Sequence, residues 1–322
     1  MGHFGDICSM FPDFIVFSNE KPVGIVNPSI LIGASAGGDT SVLGPLGASK
    51  IRNPQDKAEV CASIAAVGGL LLGSESEISE VSLLLRDTGW SRTVAHFCCE
   101  GANCSDVLRC RDVIINSEVK IVGCGGIGSL GAVLLAGAGF RRLCLIDADT
   151  VERTNLNRQL FWTLSDIGRP KVDVLAEVIS ARFASTHVET WLRRVDCGAV
   201  SALGQGADAI LFCADEPLEL LREFHDFAEN NQNVVCVSAG YSFGRGLVTL
   251  IRRHLFPPIN VDRNWRPLVG GIMPSYGPLN AEVAGKAVAL LIFALGWRTY
   301  APRGIDISWR FDHAADESAT TP

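Results

Sequence analysis

VKIVGCGGIG, residues 119–128, is the stretch that decides the fold. Val119–Val122 predicts a β-strand, and Gly128–Ala138 predicts a helix rich in small residues. The loop between them has glycines that permit a tight turn and let helix N-terminal amides face a phosphate: Gly123, Gly125, Gly126 and Gly128. Asp147 ends the next predicted strand about 20 residues onward, where its carboxylate can accept hydrogen bonds from ribose hydroxyls. These residues predict a nucleotide site, and taken alone they favour an NAD-dependent dehydrogenase.

Strand and helix patterns alternate along the rest of the chain. Short apolar runs predict strands, and longer amphipathic or apolar stretches predict helices. The predicted strands cover 143–146, 188–191, 209–213, 234–237 and 247–251, and the predicted helices cover 172–183, 218–229 and 280–295. Such alternation is typical of an α/β fold with a Rossmann-like, doubly wound and mostly parallel sheet.

The first third of the chain has a different pattern. The runs 14–17 and 23–26 predict a hairpin, and the Gly/Ser/Ala-rich stretch 33–49 is interpreted as a loop. One helix is predicted to begin with Asn53 as its N-cap, and a second to begin in a capping box at Ser74 and stop at Gly89. We therefore predict a small N-terminal α+β, winged-helix-like domain over residues 1–92, followed by a larger α/β domain over residues 93–322.

The composition limits the kinds of binding partner and the cellular compartment that we expect. The net charge of −7 gives no general electrostatic reason to bind nucleic acid. No signal peptide or membrane span is visible, since the apolar run Ala287–Leu295 is about half of the ~20 residues that a span needs. Eleven scattered cysteines in a chain of 322 residues are interpreted as reduced thiols. These features favour a cytoplasmic protein.

Three further motifs change the expected nucleotide. DADTVE at residues 147–152 leads into NLNRQ at 155–159, and GRPK follows at 168–171. Together with the glycine loop they resemble the ThiF/MoeB, or ubiquitin-activating-enzyme-like, superfamily, whose motifs are GxGGxGS, DxDxVxxxNLxRQ and GxPK. The resemblance covers roughly residues 119–251. It implies an enzyme that binds ATP and Mg²⁺ and activates a carboxylate by adenylation.

The side chains in these motifs suit ATP better than NAD. Cleavage between the α- and β-phosphates needs nearby cations. Arg158 can make forked contacts to phosphate oxygens, while Lys171 supplies a point charge near the α/β linkage. Asn155 and Gln159 can add neutral donors, and Asp149 is expected near the phosphates. We therefore predict that ATP is bound by these residues together with Asp147 and the glycine loop.

The resemblance assigns the metal ligand as well. Asp215 follows the predicted strand 209–213, where the family carries an Asp that organises Mg²⁺. Magnesium keeps most of its waters and needs only one or two carboxylates, so a single Asp suffices. Glu216 stands where many relatives have Asn, which puts the surroundings of the metal in question. The predicted catalytic set is Arg158, Lys171 and Asp215.

Each of these residues also has a purely structural interpretation. Asp147 and Asp149 can simply end a strand, and Arg158 can be a solvated or salt-bridged arginine. Lys171 can merely occupy the first turn of a helix, although a cation is unfavourable there unless an anion such as a phosphate offsets it. We favour the functional interpretation because the motifs occur together at the family's spacing.

The cysteines that many relatives use are missing. No cysteine follows Cys236, so a thioester relay is not expected. The chain has no CxxC pair, and the cluster of Cys98, Cys99, Cys104 and Cys110 fits no common zinc module. No zinc is therefore expected, and Cys124 in the glycine loop is interpreted as a small packing residue. The family's RYxRQ string is also absent, and Arg92 is a candidate for its arginine.

The segment before the glycine loop indicates the substrate. The hairpin and helices of residues 14–90 look like a PqqD-type module, which captures a leader peptide along its β-edge. This pattern favours a peptide-modifying branch that includes microcin C adenylating and pantocin A maturation enzymes, with the pantocin type fitting better on length and on the missing zinc cysteines. We expect a precursor peptide as partner, a homodimer, no membrane and no nucleic acid.

Other functions stay open at this stage. A ThiF- or MoeB-like enzyme would adenylate the C-terminus of a sulfur-carrier protein, and a dehydratase of the same superfamily would act on a modified tRNA. A binding module without catalysis is the least favoured, since Arg158, Lys171 and Asp215 are all present. His225 and His254 are weak candidates for a base, and arginines flank a Pro-rich loop over residues 256–274 that can cover the substrate.

Overall fold

The chain divides into two units, Met1–Asp112 and Val113–Pro322. In the computed structural model the described residues are 7, 9–34, 39–86, 88–214, 218–242, 245–251, 275–297 and 305–310. The predicted division of function at residue 92 stays a prediction.

The first unit contains two small antiparallel sheets and several helices. One sheet has the strand order β1-β2-β6 and the other the order β3-β4-β5. The strands are β1 Ile15–Ser18, β2 Lys21–Val26, β3 Leu31–Ala34, β4 Thr40–Gly44, β5 Gly47–Ile51 and β6 Leu70–Leu72. The helices are α1 Lys57–Ala66, α2 Glu75–Leu85, α3 Ser91–Glu100 and α4 Cys104–Asn116, the last of which crosses into the second unit.

The predicted hairpin and capping box are confirmed. Ser18 pairs with Lys21 across a two-residue turn, and Asn19 and Glu20 there have φ of 49° and 65°. Two left-handed residues define the type I′ turn that matches the twist of the strands. The Ser74 side chain accepts the Glu77 N–H at the start of α2, and the Glu77 carboxylate accepts the Ser74 N–H in return.

Other predictions for this unit are wrong. The described residues of the stretch 33–49, which was predicted to be a loop, contribute to the three-stranded sheet β3-β4-β5, in which the Val42 side chain is fully buried. Helix α1 begins after Asp56 and not after Asn53, because the Asp56 carboxylate accepts the N–H groups of residues 58 and 59. Helix α2 ends at Leu85, well before Gly89. The short strand β6 and helices α3 and α4 were not predicted.

The second unit is built on a seven-stranded sheet of order β13-β12-β11-β10-β7-β8-β9. Its strands are β7 Glu118–Val122, β8 Arg142–Asp147, β9 His187–Leu192, β10 Ala209–Phe212, β11 Val235–Ser242, β12 Arg245–Ile251 and β13 Ile305–Arg310. The five strands from β9 to β11 in this order pair in parallel, whereas β12 and β13 are antiparallel. The predicted Rossmann-like, mostly parallel sheet is confirmed.

Helices cover this sheet and bury its apolar strands. They are α5 Gly126–Ala138, α6 Lys171–Arg182, α7 Val200–Leu203, α8 Leu218–Asn230 and α9 Gly277–Gly296. Phe224 of α8 stacks on Phe212 of β10, with ring centroids 4.5 Å apart. Helix α9 packs against α5 and against β10, β11 and β12. It begins three residues before the predicted start at Asn280, which places Asn280 inside its first turn.

Helix α9 is mostly apolar, with Asn280, Glu282 and Lys286 as its amide and charged residues. By length and composition it could cross a membrane, but 61% of its most apolar window is buried inside the protein. An apolar helix of this kind is expected where a helix packs between a sheet and a second helix. We therefore interpret α9 as a layer of the core.

Candidate nucleotide site

The glycine loop is shaped by close backbone contacts. Gly123 has φ 87°, and a β-carbon there would lie 2.9 Å from the Ala214 nitrogen at the end of β10. A β-carbon on Gly128 would overlap the carbonyl oxygen of Gly123, and one on Gly126 would overlap the Asn280 amide. Gly125, the residue before α5, has space beside it. Three of the four predicted glycines are therefore required by sterics, and the loop leads directly into a helix N-terminus.

Asp147 anchors this loop from the end of β8. Its carboxylate accepts the N–H of Cys124 at 2.6 Å and the N–H of Asp149 at 2.8 Å. Burial raises the pKa of Asp147, and the Asp149 hydrogen bond, the Lys171 charge and the Cys124 hydrogen bond oppose this rise. The geometry fits the predicted place of this residue at the strand end beside the glycine loop.

Lys171 and Asp149 bring two of the motifs together. The Lys171 Nζ lies 2.8 Å from a carboxylate oxygen of Asp149, with the lysine side chain 8% exposed and the aspartate side chain 57% exposed. The backbone N–H of Lys171 also donates to the Asp149 carbonyl oxygen at 3.0 Å. Lys171 is the first residue of α6, as predicted. The Asp149 carboxylate offsets the unfavourable position of this cation at a helix N-terminus, so the pair has a structural role too.

The NLNRQ segment forms a turn with two buried amides. The Asn155 side-chain oxygen accepts the N–H of Glu152 at 3.0 Å. The Gln159 side-chain oxygen accepts the indole N–H of Trp162 at 2.6 Å. The Gln159 Nε2 lies 3.8 Å from the place that a β-carbon on Gly125 would take. The structure therefore brings Gln159 to the glycine loop, while Asn155 shapes the turn.

Arg158 lies in the same turn and is half-buried. One of its guanidinium nitrogens donates to the Thr154 carbonyl oxygen and to the Asn157 side chain. Within the part of the chain that the structure describes, Arg158 forms no ion pair with a carboxylate. This arrangement orients the guanidinium, and the predicted contact of Arg158 with phosphate oxygens stays a prediction.

Several predicted residues lie outside the described residues. They are Asp215, Glu216, His254 and the arginines at 252, 253, 263 and 266 with the Pro-rich loop 256–274. Arg92 is described and is exposed near the start of α3. His225 is also described, and its Nε2 lies 3.4 Å from the Ser238 hydroxyl.

The clustered cysteines are buried thiols. Burial, followed by the neighbouring cysteines, raises the pKa of Cys98 to about 12. Burial also raises the pKa of Cys104 to about 11 and that of Cys110 to about 12. Cys124 is fully buried behind the glycine loop, where burial again raises its thiol pKa. Over the described ranges, no three His, Cys, Asp or Glu side chains are grouped to hold a metal.

Asn280 is a residue at this site that the sequence did not single out. It is 1% exposed, and its amide lies against Gly126. A polar residue near the start of a helix as apolar as α9 was the available signal. The apolar pattern predicts a helix that begins at Asn280, and so it does not show that the residue lies inside the first turn of a helix that begins at Gly277.

The sheet, glycine loop and adjoining cations define a Rossmann-like nucleotide-binding protein. The model of the ThiF family matches residues 100–289, and the chain belongs to this family. It is therefore an ATP-dependent adenylating enzyme, which confirms the class that the motifs predicted.

Known proteins resemble the chain over different lengths. The sulfur carrier protein ThiS adenylyltransferase of Escherichia coli is 35% identical over 186 residues, which cover 55% of this chain and 73% of that protein. The tRNA threonylcarbamoyladenosine dehydratase of Bacillus subtilis is 44% identical over 78 residues, 24% of this chain and 29% of that protein. The solved structure of E. coli MccB with ATP has a TM-score of 0.68 at 18% identity, covering 89% of this chain and 96% of MccB. At that identity the likeness to MccB shows the fold.

Proposed function

We propose that this enzyme activates a carboxylate on a ribosomally made precursor peptide and then closes a bond within that peptide. The peptide carboxylate attacks the α-phosphorus of ATP, which gives an acyl-adenylate and releases pyrophosphate. A nitrogen or carbon nucleophile of the same peptide then attacks the acyl carbon, loses a proton and expels AMP. The sum is loss of one water from the peptide at the expense of ATP, a reaction suited to the biosynthesis of peptide antibiotics.

The nucleotide half of this proposal is supported by the cations around the glycine loop. Lys171 is buried, and the Arg158 guanidinium is held by a backbone carbonyl and the Asn157 side chain. Preorganised positive groups of this kind stabilise charge that develops on a phosphate during transfer. The loop residues that would approach the triphosphate are glycines, so backbone amides can reach it directly. These residues fit ATP.

The metal half rests on the family's pattern. Asp215 is the residue we propose as the Mg²⁺ ligand, since it follows the end of β10 by a few residues. Bound Mg²⁺ would neutralise charge on the phosphates. Gly123 packs against the backbone of residues 213 and 214, the last described residues before Asp215. Asp149 adds a second, exposed carboxylate near Lys171.

The observation that carries the peptide half is an edge strand in the first unit. Strand β1 is the outer strand of the sheet β1-β2-β6, and no other strand of the described residues pairs with its free edge. An extended peptide can add itself to such an edge through main-chain hydrogen bonds. Solved structures of MccB, which share the fold, contain MccA. We propose that β1 receives the leader of the precursor and that the enzyme acts as a cytoplasmic homodimer.

The test is a reaction with candidate peptides. The enzyme would be incubated with ATP and Mg²⁺ and with synthetic peptides encoded beside its gene, and both nucleotide and peptide would be measured by mass spectrometry. The proposal expects AMP, pyrophosphate and a peptide that has lost one water. ADP as the product, or no change in any peptide while another substrate consumes ATP, would refute it.

A second candidate function is adenylation of a sulfur-carrier protein. The 35% identity to the ThiS adenylyltransferase over 186 residues favours it. A parallel reaction with a carrier protein ending in Gly-Gly would give AMP and a carrier adenylate without any peptide. A third reaction with tRNA tests the dehydratase alternative, which the 44% identity over 78 residues favours. The substrate that drives AMP formation decides among the three.

A further inference from the structure

Helices α5 and α9 run side by side in the same direction. The amide of Asn280, in the first turn of α9, lies against Gly126, the first residue of α5. Further along both helices, a β-carbon on Gly131 would lie 3.8 Å from a methyl carbon of Val288. From the first contact to the second, the residue numbers increase along both helices. The helices are therefore parallel, and their two N-termini lie at the same edge of the sheet. Each carries about half a positive charge from its helix dipole.

The start of α9 also reaches the NLNRQ turn. A β-carbon on Gly277 would lie 3.6 Å from the Arg158 Cα and 3.6 Å from the Asn157 carbonyl oxygen. The first turn of α9 therefore lies between the glycine loop and the turn that carries Arg158. This is the position where a triphosphate on the glycine loop would meet the arginine.

Asn280 is buried there with unused hydrogen-bonding capacity. It is 1% exposed, and its Nδ2 has one long contact, 3.4 Å to the Ser275 hydroxyl. Within the described ranges, its Oδ1 has no hydrogen-bond partner. A buried amide atom without a hydrogen-bond partner destabilises a fold, so the Oδ1 end of Asn280 calls for an explanation. A half-turn of the amide keeps its shape, places the Oδ1 where it can accept the Ser275 hydroxyl, and leaves the Nδ2 as the end without a partner, free to donate.

We infer that Asn280 and the first turn of α9 form part of the ATP site, with the Asn280 amide donating to a phosphate oxygen. A phosphate oxygen accepts the N–H groups of a carboxamide, and two converging helix N-termini favour its negative charge. The inference rests on the proposed use of ATP at the glycine loop. The first turn of α9 would then form one side of the ATP site, and this side belongs neither to the glycine motif nor to the cationic motifs.

The test separates a ligand role from a packing role. Asn280→Leu keeps the number and branching of the side-chain heavy atoms and removes the amide. The inference expects the Kd for ATP with Mg²⁺, measured by calorimetry, to rise about tenfold or more, since a hydrogen bond to a charged group is lost. It also expects the melting temperature without ATP to be unchanged or higher, because an unpartnered buried group is gone. The rise in melting temperature caused by ATP should shrink accordingly.

A second variant of Asn280 and a control at a neighbouring position show whether the change in ATP affinity is specific to the amide. Asn280→Asp keeps the shape and adds a negative charge, so it should weaken ATP binding more than Asn280→Leu does. Ala281→Ser changes an exposed position in the same turn and should leave the Kd unchanged. Unchanged ATP affinity in both Asn280 variants would overturn the inference. Failure of the wild-type enzyme to bind ATP would instead refute the proposed function itself.

Discussion

The glycine loop of the second unit and the hairpin of the first unit both contain residues with positive φ, but only the glycine loop uses glycine there. Gly123 has a positive φ with the backbone of residues 213 and 214 pressed against it. The hairpin uses Asn19 and Glu20 at positive φ, and both are exposed. Position 123 therefore tolerates no side chain, whereas the hairpin holds two non-glycine residues at positive φ, a strain that an exposed turn can accommodate.

The ion pairs of the two units differ in the same way. Lys171 and Asp149 are 2.8 Å apart with the lysine buried, whereas Lys50 and Asp39 are 3.5 Å apart with both side chains mostly exposed. Water screens the exposed pair, so it contributes little. This difference indicates that side chains of the second unit are held in fixed positions where the nucleotide is expected. Charged side chains on the surface of the first unit can be replaced with little effect on stability.

The sharpest way to test this contrast is to remove the buried cation. Lys171→Ala should lower the rate of AMP formation about 100- to 1,000-fold, the usual effect of losing one preorganised group that stabilises transition-state charge. Lys50→Ala is the matched control and should leave the rate unchanged. The measurement is AMP release under saturating ATP. An undiminished rate in Lys171→Ala would contradict the site assignment.

The next largest effect is expected from a methyl group in the glycine loop. Gly128→Ala should lower the free energy of unfolding by about 3 kcal/mol, because the added carbon overlaps the Gly123 carbonyl oxygen. Gly125→Ala is the control, since its added carbon would come no closer than 3.8 Å to the Gln159 side chain. Denaturant unfolding of both variants gives the comparison. Equal loss in both variants would show that the loop relaxes around a side chain.

A smaller loss is expected from the capping box in the first unit. Ser74→Ala should lower the stability of that unit by about 1 kcal/mol, because α2 loses its N-cap acceptor. Ser74→Asp should restore most of the loss. Hydrogen bonds from Ser74 lower the pKa of Glu77, so the contribution of that carboxylate is present above its ordinary pKa and is lost as the pH falls. Urea unfolding at neutral and acidic pH measures both effects, and ATP binding should not change.

The smallest effect is a gain at the hairpin turn. Glu20→Gly should stabilise the first unit by about 0.5 kcal/mol, because glycine adopts φ 65° without strain and this outweighs its greater freedom in the unfolded chain. Lys21→Gly, in the adjoining strand, should destabilise by about 0.5–1 kcal/mol instead. Thermal unfolding of the two variants distinguishes them. A loss of stability in Glu20→Gly would mean that the Glu20 side chain stabilises the turn in another way.

The sequence predicts the second unit better than the first for a physical reason. Strands of a parallel sheet are buried on both faces and therefore appear as apolar runs, as at 119–122 and 209–212. Strands β3 to β5 have small and polar residues with few buried positions, so the stretch 33–49 was interpreted as a loop. The motifs also contain Asp147 and Gln159, which the structure brings to the glycine loop. No local pattern links Asn280 to the glycine loop, because the two are more than 150 residues apart in the chain.

The apolar character of α9 has a consequence for the order of events during synthesis. The glycine loop and β7 to β12 leave the ribosome before residue 277, so the sheet surface under α9 is exposed to solvent until the end of that helix is made. Exposed apolar surface of this kind is prone to aggregate. We expect a nascent chain that is stalled after residue 260 to need a chaperone to stay soluble. A chain released beyond residue 297 should stay soluble without one. The central sheet, whose strands are the easiest to predict from the sequence, is thus among the last parts of the fold to become stable.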